Sequence, residues 1–132
     1  MKRAVMTAAA AVALALGGGA ATAQDTAPVL SIDDSLICAG LFFAHSTLPE
    51  NAGYAEGVQT YREVTRVFLD RAKILSAREG KGTEGHNERV AEVAASLVGM
   101  VDAATDASGR QAVIAEWQEL EDLCIAGGQT PA

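Results

Sequence analysis

The sequence predicts an all-α fold, a small up-down-up-down four-helix bundle whose first and last helices are joined by a disulfide. Three observations carry this. Apolar residues recur at steps of three and four in four successive segments, no window alternates with period two, and the only two cysteines fall in the first and last of those segments.

The first helix is expected to open at Ser31-Ile32-Asp33-Asp34. This resembles a capping box with Asp in place of Glu, which supplies acceptors for the unpaired amides of a first turn. The helix runs to about Thr47, where Ser46-Thr47-Leu48-Pro49 reads as a stop followed by a new start. In the second helix, Tyr54, Val58, Tyr61, Thr65, Phe68, Ala72 and Leu75 align along one seam that reaches about Arg78. Gly80-Lys81-Gly82 ends it, and Thr83 is placed to cap the third. That helix carries Val90, Val93, Ala94, Leu97, Val98, Val101 and Ala104 and ends near Asp106. Ser108-Gly109-Arg110-Gln111 matches a capping box for the fourth, whose stripe is Val113, Trp117, Leu120 and Cys124, with Gly127-Gly128 as its closing cap.

Ahead of the helices, Met1-Lys2-Arg3 is a basic start, Ala4 to Leu16 is apolar, and Ala21-Thr22-Ala23 has the small-x-small form read by signal peptidase. Residues 1–23 are therefore expected to be a cleaved secretory signal, 24–30 a flexible leader, 31–128 a single helical domain and 129–132 a disordered tail. The expected location is periplasmic or secreted, with no membrane association after cleavage. In that oxidising compartment Cys38 and Cys124 should pair, because antiparallel first and last helices bring the first half of one beside the last half of the other.

Residues 24–132 carry eight basic against seventeen acidic side chains, a formal charge of −9. This argues against nucleic acid and anionic membranes as partners, since both are bound by clustered Lys and Arg. Two cysteines are too few for a structural zinc site of the usual kind. Gly80-Lys81-Gly82-Thr83-Glu84-Gly85 matches a nucleotide-binding Gly-x-Gly-x-x-Gly literally, but it follows a helix rather than a strand and carries Glu84, so it reads as an interhelical turn. Neither His45 nor His86 has a carboxylate three residues before it, which excludes the di-iron bundle pattern. Glu119, Glu121 and Asp122 read as a solvated face, and His86 as a solvated first-turn residue. Arg71, Lys73 and Arg78 are expected to pair across the central hairpin with Glu84, Glu88 and Glu92, while Arg62 and Arg66 form a second candidate contact stripe.

No catalytic machinery and no cofactor are expected. The first helix has no polar side chain from Leu36 to Ala44, so it is either central in the core or presents an apolar surface to a partner, another protein or a second copy of the chain. Ala39, Phe42 and Phe43 are the expected contact face. The alternative is a bundle that binds a small molecule or metal in its interior or at the His45 end, where His45, Asp102 and Asp106 form a candidate polar site.

Overall fold

The computed structural model describes residues 29–51 and 53–132, so the expected signal segment and residues 24–28 of the leader lie outside the described residues. The chain is all-α, a helical bundle with four α-helices among the described residues: α1 (Ile32–Thr47), α2 (Ala55–Arg78), α3 (His86–Asp102) and α4 (Ala107–Gly128). A 3-10 turn, Pro49–Asn51, separates α1 from α2, and Pro49 occupies its first position, where a missing N–H costs nothing. Cys38 and Cys124 are both disulfide-bonded, and as the only cysteines they covalently join α1 to α4.

The residues divide into two compact units, Ser31–Val98 and a second that contains Gly99–Pro131 and Leu30. In the first, α1 begins with the expected capping box: the Asp34 amide donates to Ser31 Oγ and the Ser31 amide donates to Asp34 Oδ2, each at 3.0 Å. Its side chains are buried from Asp34 to Ser46 with the single exception of Phe43. A helix apolar on every side is thus an interior helix, and its lack of a polar face needs no partner to explain it. Phe42 stacks on Phe68 of α2 with ring centroids 5.8 Å apart, and Gly40 lets α3 approach through Val90 and Val93.

The α2 helix ends in a paired-bond glycine cap. The Lys81 amide donates to the Ser76 carbonyl at 2.8 Å and the Gly80 amide to the Ala77 carbonyl at 3.2 Å, with Gly80 at φ 68°. A second left-handed glycine, Gly85 at φ 82°, leads into α3, and Thr83 contributes its carbonyl to the His86 amide there.

In the second unit, two helix boundaries differ from the sequence reading. The third helix stops at Asp102 rather than Asp106, and Asp106 caps α4: its Oδ1 accepts from the Gly109 amide at 2.7 Å. Ser108, the expected cap, lies inside the first turn. At the other end α4 continues through Gly127 and Gly128, and Gln129 is its cap. Val113, Trp117, Leu120 and Cys124 are buried, as the stripe predicts, and so is Leu30.

Candidate functional site

Most of the residues expected to do chemistry prove to be part of the architecture. His45 is buried. Its ring stacks on Tyr61 with centroids 4.2 Å apart, and its carbonyl accepts from Asn51 Nδ2 at 2.8 Å, which ties the connection after α1 to the helix. Asp102 forms an ion pair with Arg110 at 2.9 Å, and Asp106 is the α4 cap. Among the described residues, no group of three or more His, Cys, Asp or Glu side chains is arranged to hold a metal ion.

The expected contact face on the first helix also changes. Ala39 and Phe42 lie in the core, and only Phe43 reaches the surface, 38% exposed. One partly exposed phenylalanine is not a patch.

His86 departs furthest from its sequence reading. It is only 8% exposed and lies with Nε2 3.3 Å from Ser76 Oγ, itself buried, where the glycine cap of α2 folds back over the first turn of α3. The signal was present in the spacing. His86, Val90, Val93 and Leu97 follow one another at steps of four, three and four, so the histidine extends the buried stripe of α3. An open cavity of about 370 Å3 lies next to the pair, lined by residues that include Ile32, Asp33, Leu36, Lys81 and His86. A serine beside a histidine is the contact that activates a nucleophile, but here Ser76 is closed off from solvent and His86 Nδ1 meets no orienting carboxylate. The pair fastens α2 to α3.

Charge is distributed unevenly. Arg89 holds Asp33 at the start of α1 through two bonds, Nε to Oδ1 at 2.9 Å and a terminal nitrogen to Oδ2 at 3.1 Å. That hydrogen bond to Asp33 raises the Arg89 pKa, against the opposing effect of burial. Burial, with the like charge of Arg78 as the second cause, lowers that of Arg71. Two members of the expected cross-hairpin pairing pair locally instead: Lys73 lies 3.9 Å from Asp70 in its own helix, and Glu92 3.4 Å from Arg89 in its own. Arg62, Arg66 and Arg78 are exposed and make no ion pair with any described residue.

The solvent side of α2 is the feature that pattern reading underrated. At about 100° per residue, Arg62, Lys73 and Arg66 fall within about 40° of arc, Val67 and Ile74 fall within about 20° of each other, and the carboxylates Asp70 and Glu63 lie between the two groups. Val67 is 59% and Ile74 48% exposed, while Thr65, Phe68, Ala72 and Ser76 occupy the buried side. The aliphatic pair is seven residues apart on one face, with Glu63 and Asp70 on one side of it and Arg71 and Arg78 on the other.

No family model matches the chain, and neither a curated protein nor a solved structure matches it.

Proposed function

We propose that the protein is a small exported, disulfide-joined helical module that acts by binding another protein and has no catalytic machinery of its own. The observation that carries this reading is the exposed pair Val67 and Ile74 on the solvent side of α2. Aliphatic side chains of that size are the material of contact surfaces when they lie together rather than singly. Export is supported by the basic-apolar-small order of residues 1–23 and by the disulfide, since such bonds persist in oxidising compartments.

A photo-reactive benzoylphenylalanine placed at Val67, at Ile74 or, as a control, at exposed Gln111 of α4 tests the binding surface in the cells that produce the protein. A discrete adduct from the two α2 positions and none from Gln111 is expected. Equal labelling from all three, or none from α2, overturns the reading. N-terminal sequencing of the exported chain is expected to begin at Gln24.

A further inference from the structure

We infer that the cleft at the start of α2 binds a quaternary ammonium group, held between Tyr54 and Tyr61 beside the carboxylate of Glu56. An open cavity of about 560 Å3 lies there, lined by residues that include Asn51, Tyr54, Glu56, Gly57 and Tyr61. Its size is that of small-molecule sites. Tyr54 is 70% exposed, and its side chain makes no hydrogen bond to cap the helix it begins. Tyr61 is half-buried and is held in place by His45, on whose ring it stacks.

The residue between the tyrosines marks them as a pair. Gly57 comes three positions after Tyr54 and four before Tyr61, so the three share one side of the helix and the glycine leaves a gap between two aromatic residues. The backbone does not require glycine there. Its φ is not left-handed, and a Cβ would meet only the Tyr54 Cβ, at an ordinary contact distance of 3.7 Å. Glycine is a poorer helix former than alanine, so what this one supplies is space.

Charge selects the ligand. Of the described residues that line the cleft only Glu56 is charged, and it makes no ion pair with any described residue. From Leu48 to Tyr61 the chain has two carboxylates, Glu50 and Glu56, and no Lys or Arg, so an anion is repelled. A tyrosine ring attracts a cation within about 6 Å of its centroid, and residues seven apart on a helix are separated by about 10.5 Å, a spacing that suits one cation between two rings. A primary ammonium brings three N–H donors that need acceptors, whereas a quaternary one has none and presents methyl groups to the rings.

The test titrates the disulfide-bonded chain with choline chloride and, at matched ionic strength, with its uncharged isostere 3,3-dimethylbutan-1-ol. NMR follows the ring signals of Tyr54 and Tyr61, the only tyrosines in the chain. Expected is saturable movement of both by choline and none by the alcohol. Tyr54→Ala should weaken choline binding at least about fivefold, the worth of one partly desolvated cation–π contact. Gly57→Leu, which fills the gap, should abolish binding without lowering the melting temperature, and Glu56→Gln should weaken it most at low salt. Tyrosine signals that choline does not move, equal movement by both compounds, or binding unchanged in Tyr54→Ala and Gly57→Leu overturns the inference. Phosphatidylcholine vesicles distinguish the source of the group: co-sedimentation assigns it to a lipid headgroup, and choline binding without co-sedimentation to a free solute. The cleft is separate from Val67 and Ile74, so its failure leaves protein binding there standing.

Discussion

Gly40 of α1 faces Val93 of α3 across a gap too narrow for a methyl group. A Cβ at position 40 would lie 2.6 Å from Val93 Cγ1 and 2.7 Å from its Cβ, with the Val90 carbonyl oxygen at 3.1 Å. The first two contacts can yield by repacking; the third is backbone and cannot. Alanine is otherwise the better helix former, by about 0.5–1 kcal/mol. The Gly40→Ala substitution is nevertheless expected to destabilise by about 1–3 kcal/mol, the usual cost of overpacking. Urea unfolding followed by far-ultraviolet circular dichroism checks this, and Gly40→Ala/Val93→Ala should recover part of the loss. A gain in stability from Gly40→Ala alone would show that helix propensity outweighs the close approach.

The bond between Cys38 and Cys124 constrains the unfolded chain more than the folded one. It closes a loop of about 87 residues, for which the chain-entropy estimate is about 4.5 kcal/mol. Domains of this size are stable by only about 5–15 kcal/mol, so the loss is a large fraction of the whole. Replacing both cysteines by alanine should lower the urea midpoint steeply, and reductant should do the same to the natural chain. The double variant should be indifferent to reductant; any residual sensitivity would mean that reductant acts other than through this bond.

The helical periodicity of the sequence was sufficient to place all four helices and the capping box at Ser31, because those features depend on neighbours within four positions. The cysteine pairing was legible for a different reason: only two thiols exist. What sequence concealed depends on distant partners. Nothing local distinguishes Gly40, a close approach to Val93, from Gly53 or Gly99, around which a Cβ would meet nothing. His86 was misread because histidine is polar, although its position on the Val90, Val93 and Leu97 stripe marked it for burial. The apolar run of α1 suggested an unpaired face only because a fully interior helix is uncommon in so small a protein. The solvent side of α2 was partly legible in Arg62 and Arg66, but that Lys73 pairs with Asp70 while Arg62 and Arg66 make no ion pair with any described residue depends on side-chain placement that spacing does not show.

The start of α4 offers a choice between two capping residues two positions apart. Asp106 Oδ1 accepts the Gly109 amide, while Ser108 sits in the helical first turn with its hydroxyl exposed to water. Asp106→Ala should therefore cost about 1 kcal/mol and Ser108→Ala only a few tenths. Thermal unfolding of the two variants side by side decides it. The reverse order would return the cap to Ser108 and extend the preceding connection.

Phe42 and Phe43 are adjacent in sequence and opposite in environment. Phe42 is buried between Phe68 and Tyr61, its ring 5.8 Å from one and 6.2 Å from the other, whereas Phe43 is 38% exposed on the next step of the helix. Truncating a buried phenylalanine removes its transfer free energy and leaves a cavity, so Phe42→Ala should destabilise by about 3–5 kcal/mol. Phe43→Ala should cost less than about 1 kcal/mol, in the range of surface changes. The same contrast addresses self-association through α1. If Phe43 contributes no interface, Phe43→Asp leaves the solution mass measured by light scattering unchanged across a concentration series and keeps full helicity. A dimer dispersed by Phe43→Asp would restore α1 as a contact surface and place a second interface beside the one assigned to α2.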